Sequence, residues 1–335
     1  MKSLLLLLAL LPAAVAAPAP VKLIFDTDMG NDVDDVMALA MIHTLQKRGA
    51  VELLAVTVTK DHPQAAAFVD AINTFYGYGD TPIGVVRNGA TPEPGKFNLL
   101  ADEKKPDGTL RYPHDLRTGA DAPEATGLLR RLLAAQPEDR SVVLVQVGFF
   151  TNFARLLDSP PDAHSPLTGR ELIAQKVKLF SIMAGAFQTV NWFTQHKEYN
   201  VVKDVPAAQK LVAQWPGPIV WSGFEIGVAA AFPHRVIDED LNYVKHHPLK
   251  ESYILYNPPP HDRPTWDPTS LLYAVYPDRG YFDLSPPGWI KVEDSGATVF
   301  TPDRTGKAKH RFLVMSREQT ERVREAVVQL SIAPP

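Results

Sequence analysis

The sequence predicts an α/β fold: a mostly parallel central sheet with helices on both faces and a small α+β extension at the C-terminal end. Two observations carry this. Short β-branched runs alternate with segments of helical period along most of the chain, the pattern of a parallel sheet whose crossovers are helices. Three long stretches rich in Pro, Gly and charge, 91–123, 257–268 and 277–287, interrupt that alternation and read as surface loops.

Taken in order, residues 21–25, 51–59, 83–86, 142–147, 177–182 and 218–221 are predicted strands. Residues 34–48, 64–76, 124–135 and 205–214 are the predicted helices between them. From Trp289 onward the sequence reads as short strands at 298–300 and 311–315 and a last helix at 317–330. No internal repeat, low-complexity segment or domain boundary divides the chain, so 18–335 is expected to be one domain. Parallel sheets bind ligands outside the carboxyl ends of their strands, which directs attention to the residues that follow each run.

Residues 1–17 have a cation at Lys2, an apolar run from Leu4 to Leu11 and small residues before Pro18, the layout of a cleaved secretory signal peptide. The run is shorter than a spanning helix needs, and Pro12 breaks it, so export without a retained membrane anchor is expected, to a periplasm or the cell exterior. There is no cysteine. Disulfides, thiolate metal sites and cysteine nucleophiles are therefore excluded, and the remaining chain is long enough to bury a core without staples. A net charge of -4 with no basic stripe argues against nucleic acid as a partner.

The densest chemical signal follows the first strand. Asp26, Asp28, Asp32, Asp34 and Asp35 place five carboxylates within ten residues. Asp26 and Asp28 share a face in extended chain, Gly30 and Asn31 can turn, and Asp34 and Asp35 fall at the start of a helix, where the dipole favours anions. Helix capping accounts for one or two of these acids, not five. Like charges about 5 Å apart repel by roughly 3 kcal/mol at an effective dielectric near 20, so a converging set needs a cation or a shared proton. Oxygen-only clusters suit Ca²⁺ or Mg²⁺ rather than zinc.

The segments Asp26-Thr27-Asp28-x-Gly30 and Asp34-Asp35-x-x-Ala38-Leu39 resemble the signature of the inosine-uridine nucleoside hydrolase family. Further matches follow in order: Gly148-Phe149-Phe150-Thr151-Asn152, Met183-Ala184-Gly185-Ala186, Glu198-Tyr199-Asn200 and Trp266-Asp267-Pro268. The resemblance implies a Rossmann-like nucleoside hydrolase fold and Ca²⁺-dependent hydrolysis of ribonucleosides to free base and ribose. It implies that Asp28, Asp35, Asp267 and the backbone carbonyl of Thr151 hold Ca²⁺, and that Asp34 is the general base on the attacking water. Glu198 and Asn200, with Asn191 nearby, would bond ribose hydroxyls, while Asp26 supports the loop from behind. The chemistry of the residues agrees, since cleavage through an oxocarbenium-like sugar needs a positioned water and a carboxylate base. A small-molecule nucleoside is the implied partner, with self-association into a homo-oligomer left open.

Three departures from the family pattern bear on the site. The stretch 30–33 carries two extra residues, which makes Asp32 the alternative to Asp34 as base; the intact Asp-Asp-x-x-Ala spacing favours Asp34. Lys60-Asp61-His62 replaces a Gly-Asn pair, so a ribose contact passes to Asp61 or is lost. Trp266 stands where many members have a proton-donating His, and as an indole it would stack on the base rather than protonate it.

His62, His196, His246, His247 and His261 are the loop histidines available as donors, although solvated loop histidines are common. Phe187, Trp192, Phe193 and Tyr199 could wall a flat base or simply pack, and Trp215, Trp221 and Trp289 read as packing. Two rival functions are a haloacid-dehalogenase-type phosphatase, with Asp26 as nucleophile and Asp28 as acid, and a non-catalytic nucleoside or ribose binder on the same fold.

Overall fold

A computed structural model describes residues 19–189 and 196–335. The expected signal peptide and the candidate residues Asn191, Trp192 and Phe193 lie outside them. The first half builds β1 (Val21–Thr27), α1 (Asp34–Lys47), β2 (Val51–Lys60), α2 (Pro63–Phe75), β3 (Ile83–Ala90), α3 (Ala125–Ala134), β4 (Val142–Gln146), α4 (Thr151–Asp158), α5 (Gly169–Lys176) and β5 (Val177–Met183). The second half follows with α6 (Tyr199–Lys203), α7 (Val205–Gln214), β6 (Ile219–Ser222), α8 (Phe224–Ala229), α9 (His234–Glu239), α10 (Pro248–Tyr256) and α11 (Trp266–Val275). The chain closes with β7 (Asp283–Leu284), β8 (Gly288–Val292), β9 (Thr298–Pro302), β10 (His310–Val314) and α12 (Arg317–Ser331).

The strands run in the order β3-β2-β1-β4-β5-β6-β10-β8-β9, with β7 on β10. Every pair from β3 to β10 is parallel, whereas β8 and β9 are antiparallel. The C-terminal strands therefore extend the main sheet instead of forming a layer of their own. Pleating divides the core. Leu23 and Phe25 of β1 enter one buried cluster with α1 and α2, while Ile24 enters the other with residues of α3, α4, α5 and α7. Because α1 is apolar on all sides, it is buried from Asp34 to Leu45.

The chain winds outward from β1 through β2 and β3, then returns to lay β4 on the other side of β1. The loops after β1 and β4 thus diverge at a topological switch point, the place where such sheets open a crevice. Gly148 makes this possible. A Cβ there would lie 2.6 Å from the Asp28 amide nitrogen and 2.8 Å from the Thr27 carbonyl carbon, so only glycine lets the two strand ends close up.

One expected loop is shorter than its sequence suggested. The stretch read as 257–268 ends at Thr265, and α11 begins at Trp266. Pro268 is compatible with this because it occupies the first helical turn, where its missing N–H would have no intrahelical acceptor.

Candidate active site

The carboxylates converge where the topology opens the sheet. β1 delivers Asp28 at its end, α1 begins with Asp34 and Asp35, and α11 supplies Asp267 from its first turn. Oxygens of Asp34, Asp35 and Asp267 lie within 4.8 Å of one another, and all three side chains are buried. They line a cavity of about 570 Å³ together with Asp28, Asp32, Glu198 and Asn200. That volume suits a small organic ligand.

Each acid is held differently. Asp34 accepts from the backbone N–H groups of Trp266 (2.8 Å) and Asp267 (3.1 Å) through Oδ2, so it caps α11 across the cavity. Asp35 accepts from the Thr27 hydroxyl through Oδ1, and its buried Oδ2 has no partner among the described residues. Asp28 accepts from Asn31 at 2.7 Å, and Asn31 accepts in turn from the buried Lys60 ammonium at 2.8 Å. Burial lifts all of these carboxyls, Asp28 to about 6 and Asp34, Asp35 and Asp267 well above the usual range, with neighbouring carboxylates adding to the rise. A cluster of buried, mutually repelling acids with an orphaned oxygen fits a hard divalent cation.

Asp32 differs from its neighbours. Arg263 grips it by both edges, Nε to Oδ1 at 3.0 Å and Nη2 to Oδ2, and the Tyr256 hydroxyl adds a bond at 3.2 Å. Asp26 stands behind the cavity, wholly buried, accepting from Thr57 and from Asn152 at 2.8 Å. Burial holds its carboxyl up at about 8. Its position behind the cavity leaves it out of reach of a substrate there, unlike the nucleophile that a phosphatase would need.

Glu198 caps α6, accepting from the N–H groups of Asn200 (2.8 Å), Val201 (3.2 Å) and Gly185 (3.1 Å). Burial raises its carboxyl to about 7. The Asn200 amide donates to the Val147 carbonyl at 2.7 Å and the Met183 carbonyl at 3.2 Å, which turns its own carbonyl oxygen away from those two groups.

Part of the cavity wall is aromatic. Trp266 stacks on Phe224 at 5.3 Å, and His196 stacks on the same Phe224 at 3.8 Å. The Trp266 indole N–H donates to the Phe224 carbonyl at 2.8 Å, which fixes the ring. Gly227 leaves room for it, since a Cβ there would collide with Cδ1 and lie 2.7 Å from the Trp266 Cα.

Other expected residues fall elsewhere. Thr151 opens α4 beside the Asp28 loop, its hydroxyl bonded to Asp204, and its side chain is not part of the cavity wall. Asp61 lies off the cavity, accepting from the Gly89 N–H at 2.9 Å. Of the five loop histidines only His196 reaches the cavity; His62, His246 and His247 are bonded to neighbours and His261 stands apart. Tyr199 lines the cavity, whereas Phe187 packs on Trp221 and Phe312. Sequence reasoning missed Phe224, Tyr256 and Arg263, because each follows or precedes an unremarkable run, and it noted Lys60 only as a departure from a pattern.

The sequence profile described as inosine-uridine preferring nucleoside hydrolase matches residues 23–325. The chain belongs to this family. It is a hydrolase, and the family's reaction is cleavage of the N-glycosidic bond of ribonucleosides, carried out in general with a metal. Among nucleoside hydrolases of known sequence, it is 26% identical over 288 residues to a pyrimidine-specific ribonucleoside hydrolase of Shewanella woodyi, covering 82% of this chain and 84% of that one. Its fold matches a plant nucleoside hydrolase with a TM-score of 0.70 at 20% identity, over 94% of this chain and 100% of that one. It also matches the inosine-uridine preferring nucleoside hydrolase of Bacillus anthracis with a TM-score of 0.66 at 19% identity, over 92% and 98%.

Proposed function

We propose that this chain is an exported, Ca²⁺-dependent nucleoside hydrolase that cleaves ribonucleosides to free base and ribose. The observation that carries the reading is the convergence of Asp34, Asp35 and Asp267 in a cavity also lined by Glu198, Asn200 and a stacked aromatic pair. Ca²⁺ would be held by Asp28, Asp35, Asp267 and the Thr151 carbonyl. When bound, it supplies a Lewis-acid centre that acidifies water and organises a vicinal diol.

The chain's own residues do the rest. Asp34 has one oxygen engaged by backbone N–H groups and the other available to take the proton of the attacking water. Asp32 is the weaker base because its carboxylate is already spent on the Arg263 guanidinium. Glu198 and the Asn200 carbonyl accept from ribose hydroxyls; Asn191, outside the described residues, is a further contact to test, whereas Asp61 lies off the cavity. The developing positive charge on the sugar is stabilised by the surrounding carboxylates.

The export proposed here rests on the composition of residues 1–17; among the described residues no helix is long and apolar enough to cross a membrane. A panel of purine, pyrimidine and nicotinamide ribosides, assayed for free ribose with EDTA and Ca²⁺ add-back, tests the proposal. Tight ribonucleoside binding without ribose release would instead favour the non-catalytic binder.

A further inference from the structure

We infer that Arg263 recognises the leaving base: it donates from its Nη1 amino group to the nucleobase and stabilises the negative charge that develops there as the glycosidic bond breaks. This rests on the nucleoside hydrolase reading and assigns it a specificity-determining residue.

Arg263 is a cation stacked within the aromatic wall; a second cation, Lys197, lines the same cavity but has no planar donor edge. The Arg263 guanidinium lies over the Trp266 ring at 4.9 Å and over the Tyr256 ring at 4.7 Å, so it belongs to a run of flat groups that continues through Phe224 to His196. Its orientation is locked. The backbone exchanges hydrogen bonds with Phe232 at 2.7 and 3.0 Å, and Asp32 takes the edge formed by Nε and Nη2. Nη2 also donates to the Tyr256 hydroxyl at 2.9 Å. Nη1 makes no hydrogen bond to any described residue, and the side chain remains 14% exposed in the cavity wall.

The chemistry asks for such a group. When the C1′–N bond breaks, its electron pair leaves on the base nitrogen and spreads to the ring nitrogens and carbonyl oxygens. The water oxygen bonds to C1′, its proton passes to Asp34, and the base nitrogen later takes a proton from solvent. The other polar groups of this wall are poorly suited to meet that charge. The Trp266 N–H is given to the Phe224 carbonyl, and the Tyr256 hydroxyl is held by Asp32 and Arg263. His196 is stacked on Phe224, and burial lowers its pKa, which disfavours the charged form that could donate. A guanidinium pinned by a carboxylate offers a fixed planar donor edge, which an ammonium cannot copy.

The experiment compares uridine and inosine with p-nitrophenyl riboside, whose leaving group departs unaided. In Arg263→Met, kcat/KM should fall about 100-fold on the two nucleosides, the loss typical of one charge-stabilising donor, and stay within a factor of about three on the aryl riboside. Arg263→Lys should recover only part of the loss, and guanidinium chloride should rescue the Met variant. Calorimetric Ca²⁺ affinity should be unchanged. The double variant Asp32→Asn, Arg263→Met removes the pair together and should show the same selectivity if the single variant folds poorly. Equal losses on all three substrates, or loss of Ca²⁺ affinity, would make Arg263 a mere clamp and overturn the inference. So would a leaving-group-dependent loss in His196→Ala with none in Arg263→Met. Absence of ribose release by the wild type would instead overturn the hydrolase reading beneath it.

Discussion

Asp32 and Asp34 carry the same side chain two residues apart in unlike surroundings, one gripped by a guanidinium and the other capping a helix with one oxygen to spare. The same contrast separates metal ligands from supports. On the proposed assignment, Asp28→Ala or Asp267→Ala removes a charged Ca²⁺ ligand and leaves the remaining carboxylates in mutual repulsion. Calorimetric Ca²⁺ affinity should therefore fall by more than the roughly 10 to 100-fold typical of an outer-shell change. Trp266 presents a different kind of residue. Its N–H is committed to the Phe224 carbonyl, so the contribution to base departure proposed for it is stacking. Such a contact is worth about 1 to 3 kcal/mol, and Trp266→Ala should cost about ten-fold in kcat/KM for each 1.36 kcal/mol of it expressed in the transition state. Steady-state kinetics that show no change would leave the indole as packing.

At the scale of elements, α11 is the hinge of the site, because it carries Trp266 and Asp267 and is capped by Asp34 from α1. Its close approach to α8 depends on Gly227. Gly227→Ala forces a Cβ to within 2.7 Å of the Trp266 backbone, an overpacking that should cost about 1 to 3 kcal/mol and lower activity together with the melting temperature. Thermal melts alongside kcat/KM measure both. The alternation of β-branched runs made β1 to β6 legible, as did the helical period of α1, α2, α3 and α7. The acidic run after β1 and the motifs after β4 and β5 announced the site. What stayed hidden is short or depends on tertiary partners. α8 to α10 are six to nine residues long, too short for a period to show. α11 starts on residues that read as loop because its cap is an aspartate 232 positions away. Arg263 could not be found at all by pattern, since its meaning lies in Asp32, Tyr256 and Trp266 meeting around it.

The whole molecule links its stability to pH through buried histidines. His43 is stacked between Tyr76 and Tyr78 and bonded to Asn73 at 2.9 Å, and burial lowers its pKa from 6.5 to about 4. His247 and His310 are pushed down to about 4 for the same reason. Between pH 4 and 6.5 these three histidines are protonated in the unfolded chain and neutral in the folded one, so their own contribution to stability rises with pH, opposite in sign to that of the buried carboxyls held up in the folded chain. The contribution is full above about pH 6.5 and is lost as pH falls toward 4, by up to about 3 kcal/mol for His43. Measured across pH 4 to 7, the melting temperature of wild type relative to His43→Gln should fall as the pH is lowered; a difference that does not change with pH would remove His43 as a contributor.

The central claim is that one carboxylate among several, Asp34, activates water beside a calcium-binding cluster. The most direct measurement takes wild type, Asp34→Asn and Asp32→Asn, and determines Ca²⁺ affinity by calorimetry and ribose release from nucleosides on the same preparations. The account predicts that wild type releases ribose only with Ca²⁺, and that Asp34→Asn still binds Ca²⁺ but loses about 10² to 10⁴-fold in rate. Asp32→Asn should lose far less. Ribose release untouched by EDTA, or a normal Asp34→Asn beside a dead Asp32→Asn, would contradict it.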